Sequence, residues 1–290
     1  MPAMTTLPTE ADLAPIPQSC GSRPYPLRGP SVAIAEEVGV GFIYNGIPHA
    51  VMMATPADLE DFAVGFSLTE HIIAASQDIR RIERRVTAAG VELAIDLAPG
   101  ALRQFLQRRR LRARRGHTSC GVCGVEQLEE LAFEPERVVL RQPIAADAIT
   151  RAVAQLRDFQ PLSRATRCAH AAAWATADGE LVLVREDIGR HNALDKLIGG
   201  CLRQTAGLSE GFCLVTSRCS FEMVQKALAA GMAVLVAVSA PTTLAVATAR
   251  QAGMTLISLD RDLRPVVYAA PDLSARTHEA RHEHTQDQAV

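Results

Sequence analysis

The chain has 290 residues, 48% of them hydrophobic, which is enough to bury a large core and favours two domains over one. A formal net charge of −2 argues against a general nucleic-acid binder, and no apolar run approaches the roughly 18–20 residues that cross a bilayer. No signal peptide is visible and only one pair of the seven cysteines is closely spaced, so we expect a cytoplasmic protein with free thiols.

Both ends of the chain are predicted to be disordered tails. Residues 1–28 are rich in Pro, Thr and Ser and show no apolar periodicity. Residues 275–290 are charged and rich in histidine, without a core pattern. Their histidines are able to bind metal, but a solvated tail is the simpler interpretation.

Residues 29–115 are predicted to form a small α+β domain. Short runs of β-branched and aromatic residues indicate strands, and Asn45-Gly46 is a strong signal for a hairpin turn. The predicted strands cover residues 32–34, 40–44, 47–54 and 91–97.

The helix of this domain is expected to begin with Thr55 as its N-cap and Pro56 at its first position. Apolar residues then recur at helical spacing up to about Thr69. These positions are Leu59, Phe62, Ala63 and Phe66.

A dense arginine cluster precedes the closely spaced cysteines, Cys120 and Cys123. From Arg103 to Arg115 the chain has seven arginines, and no acidic residue interrupts them. Nearby cations lower the pKa of a thiol and favour the nucleophilic thiolate. This CxxC motif is therefore the best candidate for chemistry.

The surroundings of the motif are less sharply defined by the sequence. The sequence of residues 102–111 is compatible with a short basic helix and with a mobile segment. The motif itself is placed on a mobile loop at 116–130, with a helix following at about 125–131.

Three other roles are compatible with a CxxC motif in general. Structural zinc would take His117 with the two cysteines, but the possible fourth ligands are poorly spaced. A thioredoxin-like dithiol would follow a strand, whereas this motif follows an arginine-rich segment. A hydrolytic deaminase needs His-x-Glu, and His170 is followed by two alanines. The possible fourth zinc ligands are Cys168, His170, Cys213 and Cys219.

Residues 131–274 are predicted to form an α/β domain in which helices cover both faces of a parallel sheet. Apolar runs of strand length alternate here with amphipathic helices. The predicted strands cover residues 169–175, 181–184, 212–216, 233–238, 255–259 and 266–268. The predicted helices cover residues 144–159, 191–201, 221–230 and 242–252.

Polar residues follow two neighbouring strands of this sheet. Ligands of parallel sheets bind beyond the carboxyl ends of the strands, where helix N-termini supply free N–H groups. A phosphate-bearing ligand would suit this position. The alternative is plain N-capping of the following helices by Ser220 and Ser239. The candidate contacts are Thr216, Ser217, Arg218, Ser220, Ser239 and Thr242.

The segment 186–196 has two interpretations. In the first it is a binding site, where His191 titrates near neutrality and carries protons. In the second, Asp187 or Asn192 caps a helix and the other groups form surface ion pairs. The polar residues in question are Asp187, Arg190, His191, Asn192 and Lys196.

Lysine is scarce in this chain: of thirty basic residues only Lys196 and Lys226 are lysines. Both are candidates for positions that need a compact ammonium rather than a planar guanidinium. Lys226 also follows Glu222 at the i,i+4 spacing, which predicts an exposed ion pair on one helix.

Four blocks of sequence together resemble the FdhD family of formate dehydrogenase accessory sulfurtransferases. The resemblance spans roughly residues 30–262 in the same order. One block departs from the family pattern, because Arg167 and Cys168 replace two glycines before His170. The matching blocks are TSCGVCG at 118–124, EDIGRHNALDKLIG at 186–199, TSRCSFEMVQKA at 216–227 and SAPTTLAV at 239–246.

The resemblance implies a sulfur carrier between a cysteine desulfurase and the bis-molybdopterin guanine dinucleotide cofactor of formate dehydrogenase. Cys120 would accept the sulfur and Cys123 would assist. It also implies a cytidine-deaminase-like fold for the second domain and a homodimer. The cofactor would be a bound client, held by the strand-end and 186–196 residues with His170. A non-catalytic cofactor chaperone, whose CxxC binds zinc or docks a partner, is the alternative.

Overall fold

The computed structural model describes residues 22–25, 32–113, 135–204, 208 and 210–271. Within these ranges the chain forms a two-stranded, a four-stranded and a six-stranded sheet. None of the helices in this part of the chain is long and apolar enough to span a membrane. The predicted CxxC loop, with Cys120 and Cys123, lies outside the described residues.

The first two strands form a sheet of their own. β1 (Ser22–Tyr25) pairs antiparallel with β2 (Val32–Ala35). At β1 the structure differs from the predicted tail of residues 1–28, because strand pairing supplies backbone hydrogen bonds that composition does not register. β2 was predicted as a strand, but it joins this small sheet and not the larger one that follows.

The N-terminal unit is built on the four-stranded sheet. β3 (Val38–Tyr44) and β4 (Ile47–Ala54) confirm the predicted hairpin, with Asn45 and Gly46 at φ 48° and 78°. β5 (Ile79–Thr87) was not predicted, because arginines dominate its sequence, as is common in edge strands. With β6 (Gly90–Leu97) the strand order is β4-β3-β6-β5.

The helices of this unit correct the predicted N-cap of the first helix and decide the conformation of the basic segment. α1 (Leu59–Thr69) has Asp58 as its N-cap residue, so the predicted cap at Thr55 is wrong. The hydroxyl of Thr55 bonds instead to a distant carboxylate, described below. α2 (Pro99–Ala113) shows that the basic segment is helical.

The second unit is built on the six-stranded sheet. Its strand order is β12-β11-β10-β9-β7-β8. The strands are β7 (His170–Ala175), β8 (Leu181–Asp187), β9 (Phe212–Val215), β10 (Val234–Ala237), β11 (Thr255–Leu259) and β12 (Pro265–Ala269).

This sheet is mixed, so the prediction of a parallel sheet is only partly correct. β9, β10 and β11 are parallel to one another. β7 runs antiparallel to both of its neighbours, and β12 runs antiparallel to β11. The connections β7–β8 and β11–β12 are too short to hold the crossover that parallel pairing needs, which forces hairpins at both places.

Helices cover both faces of the sheet, as predicted. α3 (Ala146–Leu156) packs on one face, where Ile149 and Phe212 belong to one buried cluster. The other face carries three helices that contribute to a second, larger cluster. These are α5 (Arg190–Arg203), α6 (Phe221–Ala229) and α7 (Thr243–Ala252). The short α4 (Pro161–Thr166), which was not predicted, precedes β7.

The two units meet where α1 packs against α5. A Cβ added at Gly65 would lie 1.7 Å from the carbonyl oxygen of Asp195, and one at Gly199 would lie 1.8 Å from that of Asp61. The two helix backbones are therefore in direct contact. The larger buried cluster continues across this contact, from Phe42 in the N-terminal sheet to the helices of the second unit.

Candidate functional site

The two polar segments at the strand ends lie side by side, as predicted. Cys219 and Pro241 form an isolated parallel bridge between them. The backbone N–H of Thr242 donates to the carbonyl of Cys219 at 3.0 Å. Ser217 is buried, whereas Arg218 and Thr242 are exposed. The strand-end site is defined here as residues 216–220 and 239–242 with His170, Arg190 and His191.

The antiparallel direction of β7 brings His170 to the same edge. The backbone N–H of Ala171 donates to Oγ1 of Thr216 at 2.9 Å, and that of Thr216 donates to the carbonyl of Ala171 at 3.0 Å. His170 lies opposite Asp187 in the β7–β8 pairing. Sequence segments far apart in the chain therefore converge on one edge of the sheet.

Three helices, α5, α6 and α7, begin at or next to this edge. Their first N–H groups have no partner within their own helix and favour anions. Thr242 caps α7 by accepting from the backbone N–H of Ala245 at 3.3 Å, so the alternative that Ser239 is the cap is wrong. Ser220 is the N-cap residue of α6, but no hydrogen-bond partner for its buried Oγ exists among the described residues.

The pKa of His191 is lowered well below neutrality, which disagrees with the first of the two interpretations of segment 186–196. Burial, followed by the positive charges of Arg190 and Lys226, lowers its pKa to about 4, although Oε2 of Glu222 lies 2.8 Å from its Nε2. Burial and Arg190 also lower the pKa of His170. Both imidazoles are therefore neutral at pH 7, and their protonated forms would be favoured only beside an added negative charge.

The predicted i,i+4 pair of Glu222 with Lys226 is replaced by two contacts between helices. Glu222 reaches His191 on α5, while Nζ of Lys226 donates to both carboxylate oxygens of Asp195 at 3.0 and 2.9 Å. Lys226 also donates to the hydroxyl of Thr69 at 2.9 Å. The pairs differ from the prediction because the α5–α6 packing brings a partner on α5 within reach of each side chain.

Asp187 lies at the centre of a buried polar cluster. Its Oδ2 accepts from the N–H and the hydroxyl of Thr55, at 3.0 and 2.9 Å, and lies 2.6 Å from Nζ of Lys196. Its Oδ1 accepts from the N–H of Gly189 at 2.8 Å and from Nδ2 of Asn192 at 3.0 Å. Asp187 and Lys196 are 0% exposed and Asn192 is 4% exposed.

These contacts sort the residues that the sequence put forward. His170, Arg190, His191 and the strand-end residues share one edge of the sheet, whereas Asp187, Asn192 and Lys196 lie beneath it with their polar groups bonded inside the protein. The sequence did not reveal the contact between Thr55 and Asp187, because the two residues are 132 positions apart. No local pattern reveals a contact at that separation.

The buried cysteines Cys201, Cys213 and Cys219 offer little nucleophilic character. Burial raises the pKa of Cys201 and of Cys219 to about 12, and raises that of Cys213 as well. Cys168 is exposed. Within the described ranges no group of His, Cys, Asp or Glu side chains has the arrangement of a metal site. The possible fourth zinc ligands, Cys168, His170, Cys213 and Cys219, are described, but the other ligands of that site, His117, Cys120 and Cys123, lie outside the described residues.

A family model described as "FdhD/NarQ family" matches residues 35–274. Three similar proteins carry the name "Sulfur carrier protein FdhD". One from Xanthomonas euvesicatoria is 48% identical over 82% of this chain and 84% of its own length. One from Cupriavidus necator is 49% identical over 82% of each chain, and one from Bordetella bronchiseptica is 44% identical over 84% and 87%.

The fold also matches a solved structure. A crystal structure from Desulfotalea psychrophila, of a protein proposed to be a formate dehydrogenase accessory protein, gives a TM-score of 0.65. The match covers 87% of this chain and 97% of the other, at 23% sequence identity. At that identity the likeness concerns the fold alone.

Proposed function

This chain belongs to the FdhD/NarQ family, and on that premise we propose that it is a sulfur carrier serving formate dehydrogenase. The observation that carries the proposal is the near-half identity to sulfur carrier proteins over more than four fifths of both chains. The CxxC motif lies inside the matched range, directly after the most basic part of the sequence.

The proposed chemistry is sulfur transfer through Cys120. Its thiolate attacks the outer sulfur of a cysteine desulfurase persulfide, so that the desulfurase cysteine leaves as a thiolate and Cys120 becomes the persulfide. Cys123 then exchanges or resolves this persulfide. In the resolving step the Cys123 thiolate attacks the inner sulfur, a disulfide forms, and the outer sulfur leaves as hydrosulfide with two electrons from the thiols.

The arginines before the motif support this role. The arginines of α2 with described side chains, Arg103, Arg108 and Arg109, are exposed. Cations near a thiol favour the thiolate, and an exposed basic helix attracts an anionic partner or a cofactor phosphate. Nothing acidic separates these arginines from the cysteines in the sequence.

The strand-end site is proposed to hold the client, bis-molybdopterin guanine dinucleotide, by its nucleotide part. Support comes from the adjacent helix N-termini and from Arg190 and Arg218. It also comes from the buried Oγ of Ser220, which has no hydrogen-bond partner in the described part of the chain. Together these supply the donors that a diphosphate accepts. A cytidine-deaminase-like fold of the second unit, a homodimer and a cytoplasmic location belong to the same proposal.

Intact-mass analysis tests the sulfur-transfer step. After incubation with a cysteine desulfurase and cysteine, we expect one sulfur added to the wild-type chain and removed by reductant. Cys120→Ala should abolish the adduct, whereas Cys168→Ala, which removes an exposed thiol elsewhere, should retain it. An unmodified wild-type chain with stoichiometric zinc would contradict the proposal and favour the chaperone alternative.

A further inference from the structure

The strand-end site is connected to the N-terminal unit through one buried carboxylate. Asp187 ends β8 and lies just before α5, the helix that begins with Arg190 and His191. One of its oxygens accepts from Gly189 and Asn192, at the start of that helix. The other accepts from Thr55, which follows the last residue of β4 in the N-terminal unit.

We propose that Asp187 and Thr55 are positioning residues, which hold the first turn of α5 and therefore Arg190 and His191 in place for a ligand at the strand-end site. The inference rests on the proposed function, since it concerns the site assigned there to the nucleotide. It also changes the role of Asp187 from a ligand contact to a support.

Burial and saturation exclude direct contact between Asp187 and a ligand. Its side chain is fully buried, and five donors from Thr55, Gly189, Asn192 and Lys196 surround its two oxygens. Because both oxygens of this carboxylate are paired with donors, the side chain cannot rotate towards the surface without leaving several of those donors unpaired.

The geometry also fixes the first turn of α5 from two directions. The side chain of Asn192 bridges Oδ1 of Asp187 and the carbonyl of Met53 in β4, at 3.0 and 2.8 Å. Gly189 leaves little space, since a Cβ there would lie 2.8 Å from Nδ2 of Asn192. The helix start is therefore held against β4 as well as against β8.

Thr55 lends itself to a test with a matched control in the same interface. Thr55 and Thr69 both belong to the N-terminal unit, both are buried, and each gives a hydroxyl to a buried aspartate paired with a lysine. Only the aspartate bonded to Thr55 contacts the start of α5. Thr55→Val and Thr69→Val remove equivalent hydroxyls without changing the side-chain shape.

The primary measurement is the titration of His170 in the ligand-free protein, followed by NMR of its imidazole. His170 responds to its burial and to Arg190 and Asp187. Thr55→Val should let the start of α5 move away and raise the pKa of His170 towards its ordinary value. Thr55→Ser should restore the wild-type titration, and Thr69→Val should leave it unchanged.

The second measurement is the affinity for guanosine diphosphate, with urea unfolding measured in parallel. Thr55→Val should weaken binding roughly fivefold, and Thr69→Val should bind as the wild type does at a similar loss of stability. An unchanged His170 titration in Thr55→Val, or equal effects of both valine variants, would overturn the positioning role. If the wild type fails to bind the nucleotide, the proposed site fails, while the His170 titration still decides whether Thr55 positions α5.

Discussion

The two lysines of the chain lie in the same interface between the N-terminal unit and α5, but at different depths. Lys196 and its partner Asp187 are both 0% exposed, whereas the side chain of Lys226 is 14% exposed and that of Asp195 is 1% exposed. Each pair is completed by a threonine of the N-terminal unit. Depth therefore decides how far water can replace a lost partner.

The deeper pair, Lys196 with Asp187, also has further hydrogen bonds to Thr55. Lys196 donates to the carbonyl and the hydroxyl of Thr55 at 3.0 and 2.9 Å, besides its contact with Asp187. A compact ammonium can point three donors at three acceptors in this space, which a planar guanidinium cannot. At both positions several oxygen acceptors surround the ammonium group, which explains why lysine and not arginine stands there.

The largest effect is expected for Lys196→Met. The substitution leaves a fully buried carboxylate without its cation and the carbonyl of Thr55 without its donor, which should cost about 3–5 kcal/mol of unfolding free energy. Urea denaturation measures the loss. The double variant Lys196→Met with Asp187→Leu should recover part of it, and a loss below about 1 kcal/mol in the single variant would contradict the deep ion pair.

Lys226→Met is expected to cost less, about 1–3 kcal/mol at pH 7. Water reaches this pair, and burial already raises the pKa of Asp195, so the unpaired carboxyl can take up a proton. A raised pKa in the folded state means that folding binds protons, so the variant should regain stability as the pH is lowered from 7. Equal losses for Lys226→Met and Lys196→Met would remove the distinction between the pairs.

His191, at the start of α5, should also make stability depend on pH. Since the pKa of His191 is lowered from 6.5 to about 4, the unfolded chain binds the proton first. The stability contributed by neutral His191 is complete above pH 6.5 and is lost as the pH falls towards 4. About a quarter of the side chain is exposed, which limits the effect to about 1–2 kcal/mol. Unfolding measured against pH should show a shallower slope for His191→Gln.

The smallest effect is expected for Glu222→Gln. Because Lys226 bonds to Asp195 and not to Glu222, the free energy of unfolding should change by no more than about 0.5 kcal/mol. The NMR titration of His191 should move to lower pH, since the substitution removes a neighbouring negative charge. A large loss of stability without a change in the pKa of His191 would instead support the i,i+4 pair of Glu222 with Lys226.

Local patterns were sufficient for much of the second unit. The alternation of apolar runs and amphipathic helices located β9, β10 and β11 with the helices between them, and the polar residues after two strands marked the strand-end site. Within such an element the apolar residues recur every few positions, so a short window of sequence is enough to predict it. The mixed direction of the sheet and the strand β5 were missed, because strand pairing and charged edges leave no such repeat.

The sequence by itself determined the family blocks, the arginine-rich approach to Cys120 and Cys123, and the unusual scarcity of lysine. Only the tertiary structure decided that Lys196 and Lys226 face buried aspartates, that Glu222 reaches His191, and that Asp187 bonds to Thr55 and to Gly189. The reason is physical. Each of these contacts depends on how two helices or two units pack, and close packing joins residues whose separation along the chain carries no periodic signal.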